Sequence, residues 1–306
     1  MIAALVGFSS AEVLAVRNEA AKREIPVITP TGSHDGITRD NDFLFRATFN
    51  DSFQAKALAR YARVNARCSR MAVMLNLDEN AVYARDLGRQ TIQDFVDMGG
   101  TDCGSAGFRE SDDDFRPAVT ELLRGEPDVV MVPAYPACAG KIIATLRDCG
   151  FRGLILGSDS WWGDDLLRYC GMNAAPAVFP STIPADMSGN MAAFKKRIMA
   201  AGYGEPTDNT VLGYDALLLL IPAIDDSDSS DEIVRRLGRI RALPGACDHL
   251  YLKENGDMIR PVYINEIASP APGSMPGFRL RRVIPANRLE RIRQPEEKRK
   301  NLLWNI

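Results

Sequence analysis

Short apolar runs alternate regularly with longer amphipathic stretches through the first 170 residues of this chain. Ile2–Val6 and Asp128–Val132 have the length and composition of buried strands, whereas Pro136–Cys149 has the length and spacing of a helix. A strand–helix–strand order without hairpin turns is typical of parallel sheets that are covered by helices on both faces. In such sheets ligands bind at the carboxyl ends of the strands, so a ligand site is expected in the loops there.

This alternation predicts a series of seven strands and six helices before residue 170. The predicted strands are Ile2–Val6, Pro26–Thr29, Phe43–Ala47, Arg70–Leu75, Ser105–Phe108, Asp128–Val132 and Gly153–Leu156. The predicted helices cover residues 9–24, 51–64, 80–98, 112–123, 136–149 and 163–168. Two of these helices carry clear start signals, since acidic residues precede one and Pro136 opens the other.

The pattern changes after about residue 180. Helices are predicted at Met187–Gly202, Asn209–Ile221 and Ile233–Ala242. Pro222 is expected to end or kink the second of them, because proline removes a helical hydrogen bond. Asn255-Gly256 predicts a hairpin turn between the apolar strands Leu250–Leu252 and Pro261–Ile267. The charged tail Arg288–Lys300 is expected to be a solvated helix or a frayed end.

Composition excludes several classes of protein. A length of 306 residues suits two domains, and the 37 basic residues against 40 acidic ones give a net charge of −3, which does not indicate nucleic-acid binding. No apolar run approaches the ~20 residues of a membrane helix, so no membrane insertion is expected. The two histidines and six cysteines show no CxxC or other metal-ligand spacing, so neither a metal nor a cofactor is expected.

Two loops in the first part of the chain carry hydroxyl groups at predicted strand ends. Ser9 and Ser10 lie where a strand leads into a helix, and Thr31 and Ser33 follow the next strand. A helix N-terminus has unpaired N–H groups and a partial positive charge, so the first loop can bind a carboxylate. The alternatives are that one serine only caps its helix and that the second loop is only a turn.

A third loop, residues 157–163, brings Asp159 together with Trp161 and Trp162. Asp159 is a candidate for pairing with a ligand ammonium, and either tryptophan is a candidate for the wall of a pocket. The alternative is that Asp159 caps the helix that follows. Tyr83 and Tyr135 lie at comparable positions, where a lone tyrosine more often packs than binds a ligand.

Catalytic interpretations find little support in the sequence. The loop around Ser9 lacks the second glycine of a nucleophile elbow, and no dinucleotide or Walker fingerprint opens any helix. His34 lies near the second loop without a partner in sequence, which favours an ordinary loop histidine. The acidic run Glu110–Asp114 is explained by a helix N-terminus better than by a metal site.

Several segments resemble a known family, the type I periplasmic binding proteins, and within it the leucine/isoleucine/valine-binding branch of ABC transporters. The order and spacing of these segments cover nearly the whole chain. They are Val6–Ser10, Ile25–Pro30, Phe43–Ala47, Asp51–Ala57, Asp114-Phe115, Pro127–Val130, Leu156–Asp159, Tyr214–Ala216, Glu254–Asp257 and Arg260-Pro261.

The resemblance implies an α/β fold of two doubly wound parallel-sheet lobes joined by three crossovers. Lobe one is expected at residues 1–51 with 183–260, and lobe two at residues 52–182 with 261–306. The crossovers are expected near Asn50–Ser52, Ser181–Pro184 and Ile259–Pro261. Compared with the family, the chain begins at the third strand of lobe one. We therefore expect a truncated or mis-started chain whose first lobe is incomplete and has an apolar edge at Ile2–Val6.

The resemblance also implies a set of ligand contacts. Ser10, with Ser9 beside it, and Ser33 would hold an α-carboxylate. The Thr31 carbonyl and Asp159 would take the α-ammonium. Asp159 stands where the amino-acid binders carry Glu, which shortens its reach. Further candidates are Tyr83 and Tyr135 as covers over the ligand and Trp161 and Tyr214 as pocket walls; Tyr83 is followed by Ala84 instead of the usual Gly.

The implied function is non-catalytic binding of a small solute, an amino acid or amide, for delivery to the permease of an ABC transporter. Alternatives are a ligand-sensing regulatory or receptor domain of the same fold and, less favoured, an enzyme on a doubly wound fold. The family is periplasmic, whereas the chain has no visible signal peptide and would be cytoplasmic if Met1 is its true start.

Overall fold

A computed structural model describes residues 4–5, 7, 9–225, 229–268 and 275–286. It contains a small parallel sheet, which we call the three-stranded sheet. Its strands, each paired to the next in this order, are β1 (Ala4–Leu5), β2 (Val27–Thr29) and β3 (Leu44–Arg46). Helix α1 (Ser10–Lys22) connects the first two strands.

A larger sheet, the seven-stranded sheet, is parallel except at one edge. Its strands are β4 (Arg70–Asn76), β5 (Thr101–Phe108), β6 (Val129–Val132), β7 (Leu154–Gly157), β8 (Ala177–Ser181), β12 (Val262–Ala268) and β13 (Gly277–Ile284). They lie in the order β13-β12-β8-β7-β6-β4-β5, and only the pairs that include β12 are antiparallel.

Helices cover both faces of this larger sheet. They are α2 (Asp51–Arg60), which a π-helical turn extends to Asn65, α3 (Val82–Asp97), α4 (Arg116–Leu123), α5 (Pro136–Asp148) and α6 (Asp164–Tyr169). Successive strand residues point to opposite faces, so Met71 and Val73 join the core under α2 and α3. Ala72 and Met74 join the core under α4 and α5.

The remaining elements are α7 (Asn190–Ala200), α8 (Asp208–Ile224), α9 (Ser230–Leu237), β9 (Leu243–Pro244), β10 (His249–Leu252) and β11 (Met258–Ile259), of which the last three form a small antiparallel sheet. Helices α8 and α9 lie beside the three-stranded sheet, whereas α7 packs against α8 and β12. Ile28 and Phe45 face α8 and α9, whereas Val27 and Leu44 share a core with α1. The three-stranded sheet is therefore also covered on both faces.

The mostly parallel α/β architecture confirms the predicted fold class. Several details of the prediction were wrong. Helix α4 begins at Arg116 instead of Asp112, because Asp114 accepts a bond from the Arg116 N–H just ahead of it. Pro222 does not end α8, which continues to Ile224; the alternative, a kink at Pro222, stays a prediction. The hairpin at Asn255-Gly256 pairs β10 with β11, while the predicted second strand, Pro261–Ile267, corresponds to β12 of the larger sheet.

Strands β8 and β13 were not predicted. The tail Arg288–Lys300 lies outside the described residues, as do most residues of Ile2–Val6. The lobe boundaries and the incomplete first lobe stay predictions. No helix in the described part of the chain is both long and apolar enough to cross a membrane. All six cysteines are free thiols.

A buried ion pair braces the place where the chain passes between the two sheets. Arg260 precedes β12, and its guanidinium lies 3.1 Å from Asp215 of α8 and donates to the Ala47 carbonyl at 2.9 Å. Both charged side chains are fully buried. The pair therefore ties the end of β3 and the start of β12 to one helix, and losing either partner would leave an uncompensated buried charge.

Candidate functional site

A cavity of ≈ 280 Å³ opens between the loops of the two sheets. It lies where β2, β6 and β7 end and where α1, α5 and α8 begin. The lining residues are Ser9, Ser10, Thr31, Ser33, Tyr83, Tyr135, Pro136, Asp159, Ser160, Trp162, Thr207, Asp208, Asn209 and Leu212. The structure thus brings all seven residues predicted to contact ligand to one cavity.

Ser9 and Ser10 divide two tasks at the N-terminus of α1. Ser9 is the N-cap, since its hydroxyl accepts from the Glu12 N–H at 3.3 Å while Glu12 accepts from the Ser9 N–H at 3.0 Å. Ser10 is buried, and its hydroxyl accepts from the His34 N–H at 3.1 Å. The capping alternative therefore describes Ser9, whereas the Ser10 hydroxyl hydrogen remains available to a ligand.

A fully buried arginine holds the second loop in shape. The Arg46 guanidinium donates to the carbonyls of Gly32, Ser33 and His34 at 3.2, 2.7 and 3.1 Å. Its Nε lies 2.9 Å from the carboxylate of Asp257 in the β10–β11 turn. Sequence reasoning missed Arg46; the only signal was a charged residue inside a predicted buried strand.

Asp159 opens a short 3₁₀ turn, Asp159–Trp161, directly after β7. Its N–H donates to Gln54 Oε1 at 3.3 Å, and Gln54 Nε2 donates to Asp51 at 2.8 Å. Burial, and then the charge of Asp208, raise the pKa of Asp159 to about 7. Burial, and then the charge of Asp159, raise the pKa of Asp51 to about 7. Burial therefore favours the neutral form of two carboxyl groups that would ordinarily be ionised at neutral pH.

Tyr83 and Tyr135 form an aromatic pair on the side of the seven-stranded sheet. Their ring centroids lie 5.5 Å apart at 51°. The buried Tyr83 hydroxyl donates to Ser160 at 2.9 Å, while Tyr135, at the start of α5, is 37% exposed. Tyr83 is therefore fixed, and Tyr135 is the member of the pair that presents more surface to a ligand.

Two of the predicted wall residues lie outside the cavity. Trp161 is fully buried in the core under α5 and packs near Phe179, and it is Trp162 that lines the cavity. The ring of Tyr214 packs on that of Phe194, with the ring centroids 4.9 Å apart, and its hydroxyl accepts a hydrogen bond from Arg197. The 3₁₀ turn decides which of the adjacent tryptophans faces inward, and the sequence carries no signal for that choice.

Asp208 is a lining residue that sequence reasoning missed, because the helix was predicted to start one residue later. It is the first residue of α8, capped by Thr207, and is only 6% exposed. Its carboxylate accepts from the hydroxyls of Ser181, at 3.3 Å, and Thr182. Burial raises the pKa of Asp208, while these hydroxyl bonds and the charge of Arg260 oppose that shift.

His34 forms a contact between the two sides of the cavity. Its Nε2 lies 2.9 Å from the carboxylate of Asp86 in α3. The Gly36 N–H donates to Nδ1 at 3.0 Å, so the ring proton of the neutral form is on Nε2, facing Asp86. His34 therefore has a partner that the sequence did not indicate. Among the described residues, no group of His, Cys, Asp and Glu could hold a metal ion.

Comparisons with known proteins agree with this architecture. A family model described as "Periplasmic binding protein" matches residues 1–271. A leucine-binding protein from Thermotoga maritima is 25% identical, with a TM-score of 0.85 over 94% of this chain and 81% of that one. None of the curated proteins matches the chain.

Two further solved structures, both below 25% identity, bear on the fold alone. A substrate-binding protein of a branched-chain amino acid transporter from Streptococcus pneumoniae, in complex with isoleucine, is 23% identical, with a TM-score of 0.76 over 91% of this chain and 79% of that one. A solute-binding protein of an ABC transporter from Rhodopseudomonas palustris, in complex with 3,4-dihydroxybenzoic acid, is 17% identical, with a TM-score of 0.75 over 93% of this chain and 78% of that one.

Proposed function

The chain belongs to the periplasmic binding protein family, and we propose that it binds an α-amino acid in the cavity between its two sheets. The observation that carries the proposal is the opposed chemistry of the cavity. The N-terminus of α1 and the Ser33 loop lie on one side, and the half-buried carboxyl group of Asp159 lies on the other. This arrangement suits a ligand with an anion at one end and a cation at the other.

The α-carboxylate would lie at the N-terminus of α1. The helix dipole and the unpaired N–H groups of the first turn favour a negative charge there. The Ser10 hydroxyl, which already accepts from His34, would donate its hydrogen to the ligand. The Ser33 hydroxyl, on the loop that Arg46 holds, would turn from the Asp51 carboxyl group, its hydrogen-bond partner in the unliganded structure, to donate a second hydrogen bond.

The α-ammonium would pair with Asp159 and with the Thr31 carbonyl. None of the described lining residues is Lys, Arg or His, so the cationic partner of Asp159 would have to come from the ligand. With a neutral or purely anionic solute, the ionised form of that carboxyl group would have no compensating charge, and Asp159 would have to bind a proton instead. This difference favours an amino acid over the aromatic carboxylate of the Rhodopseudomonas palustris complex.

Binding at both sides would favour a closed arrangement of two lobes, residues 1–51 with 183–260 and residues 52–182 with 261–306. An ABC transporter permease in the inner membrane would recognise that closed form, and the protein would act in the periplasm. Because ligand affinity for the closed form drives closure, no bond needs to be made or broken. The protein is accordingly proposed to be a carrier and not an enzyme.

Isothermal titration calorimetry against amino acids, amides and benzoates tests the proposal. We expect Asp159→Asn to weaken amino-acid binding about 10- to 100-fold, because a charged hydrogen bond is lost. Asp164→Asn, an exposed aspartate five residues later, is the matched control and should bind like wild type. Tighter binding of benzoate than of every amino acid, or turnover of a bound compound, would overturn the proposal.

A further inference from the structure

The cavity contains a second acidic residue that the α-carboxylate and α-ammonium of an amino acid do not use. We propose that Asp208 pairs with a positive charge on the ligand side chain, so that the preferred ligands are basic amino acids. This inference rests on the proposed function and narrows it to one class of amino acid.

The position of Asp208 fits such a role. It lines the cavity at the first turn of α8, and Leu212, one turn later on the same helix face, lines it too. Trp162 contributes further apolar surface. The methylene groups of a long side chain would pack on these two residues while the terminal cation reaches Asp208, as basic side chains do when they cross apolar surface.

Asp208 has capacity for another partner. A carboxylate offers about four acceptor sites, and the hydroxyls of Ser181 and Thr182 together with the Thr182 backbone N–H occupy three of them. The buried cation whose field reaches Asp208 is Arg260. That guanidinium is already paired with Asp215 and with the Ala47 carbonyl. Asp208 therefore forms no ion pair with a Lys or Arg side chain of the described residues.

The charges in the cavity point to a ligand with a second cation. The lining contains two acidic residues and, among the described residues, no basic one. Asp208 acts electrostatically on Asp159, so their carboxyl groups repel each other when both are ionised. The α-ammonium of the ligand compensates only one of the two aspartates, and the α-carboxylate of the ligand adds a further negative charge to the cavity. A side-chain cation adds the missing compensation without a change in the protein.

The rival interpretation is that Asp208 only stabilises the segment after β8 through its hydrogen bonds with Ser181 and Thr182. The two interpretations differ in what they predict for ligand choice. If Asp208 only stabilises this segment, its loss would change the affinity for every ligand equally. If it contacts the ligand side chain, its loss would change the affinity only for ligands that carry a side-chain cation. Lysine and norleucine are a matched pair, because they differ only in the terminal ammonium.

Titration calorimetry of the full chain with lysine and norleucine tests the inference without any variant. We expect lysine to bind at least about 10-fold more tightly, as a charged hydrogen bond implies. Asp208→Asn retains one oxygen acceptor and offers an NH2 donor to the second hydroxyl, which can accept. In this variant lysine should lose about that factor and norleucine should stay within about 2-fold. Thr182→Val removes only one hydroxyl partner of Asp208, so this variant should still bind lysine more tightly than norleucine.

Equal or tighter binding of norleucine by the wild-type protein would overturn the inference while leaving the proposed function in place. So would an equal loss for both ligands in Asp208→Asn. If the wild-type protein binds neither ligand nor any other α-amino acid, the proposed function fails, and this inference fails with it.

Discussion

The two sides of the cavity rely on different forces to hold their loops. On the side of the seven-stranded sheet, Asp159 and Tyr135 follow strands packed between two large apolar cores. On the side of the three-stranded sheet, the loop that carries Ser33 is held by one buried guanidinium and its carboxylate partner. The smaller side thus depends on a few buried charges, and its binding geometry should be correspondingly sensitive to them.

Each side contains one buried arginine that donates to several backbone carbonyls. Arg46 donates to the loop that lines the cavity, at Gly32, Ser33 and His34. Arg147 of α5 donates to the carbonyls of Phe151, Gly153, Ala174 and Pro176 at 3.0 Å each. None of the latter lines the cavity. Substitutions of Arg46 and Arg147 can therefore distinguish an effect on the stability of the whole protein from an effect on the geometry of the cavity.

Replacing these arginines should give the largest effects. We expect Arg46→Met to lower the free energy of unfolding by about 3–5 kcal/mol, since Asp257 loses its buried partner, and to weaken amino-acid binding at least about 10-fold. Arg147→Met should destabilise by about 2–4 kcal/mol through its unsatisfied carbonyls while leaving Kd within about 2-fold. Denaturant unfolding and calorimetry measure the two quantities.

Arg46→Lys retains the charge and serves as the milder variant if the methionine variant does not fold. It should recover part of the stability but not the affinity, because one ammonium cannot reach all three carbonyls. An equal loss of affinity in the Arg46 and Arg147 variants would show that the two sides do not differ in this way.

The unliganded protein should become less stable as the pH rises from about 4 to about 8. The pKa of both Asp51 and Asp159 is raised from 3.8 to about 7, so the folded state binds protons more tightly than the unfolded state. The stability they contribute is complete below pH 3.8 and is lost as the pH rises through 7. Thermal unfolding across this range measures the effect.

Asp51→Asn should remove part of this pH dependence. We expect it to stabilise the unliganded protein by about 1–3 kcal/mol at pH 8 and to have little effect at pH 4. The exposed control Asp164→Asn should change neither value. Because a bound ammonium favours ionised Asp159, saturating amino acid should also flatten the wild-type profile. A profile that rises between pH 4 and 8 in both Asp51→Asn and wild type would contradict these assignments.

The smallest expected effect concerns the contact that joins the two sides. His34 and Asp86 meet at 2.9 Å, and Asp86 is 48% exposed, so their interaction is partly screened by water. A double-mutant cycle with His34→Ala and Asp86→Ala, read out as amino-acid affinity, should give a coupling of about 0.5–1 kcal/mol. The pair Lys195–Glu205, which does not span the cavity, should give none. Equal coupling in both cycles would exclude a special role for His34.

The sequence was sufficient to predict where the parallel strands β2 to β7 lie along the chain, though not β8, and which loops form the cavity. Both follow from local signals, since apolar runs such as Val129–Val132 mark buried strands and loop chemistry marks strand ends. Strand β13 was missed because Arg279, Arg281 and Arg282 give it a polar appearance. Its burial pattern is that of an edge strand, largely open to water on one face.

Long-range partners account for the site residues that were missed. Arg46 acquires its role only when the β10–β11 turn brings Asp257 to it, across more than 200 residues. Asp208 reaches the cavity because α8 starts beside the segment that follows β8. The sequence alone gives no distance between such segments. The ligand contacts of the seven residues predicted to bind ligand stay predictions until the affinity for a ligand is measured.

The central claim is that the cavity recognises both ends of an α-amino acid, and matched ligands test it most directly. Norleucine loses its ammonium in hexanoate and its carboxylate in pentylamine; lysine becomes 6-aminohexanoate or 1,5-diaminopentane in the same way. We predict that in calorimetry each truncated compound binds at least about 100-fold more weakly than its parent. Binding of hexanoate or 6-aminohexanoate as tight as that of the parent amino acid would contradict the account.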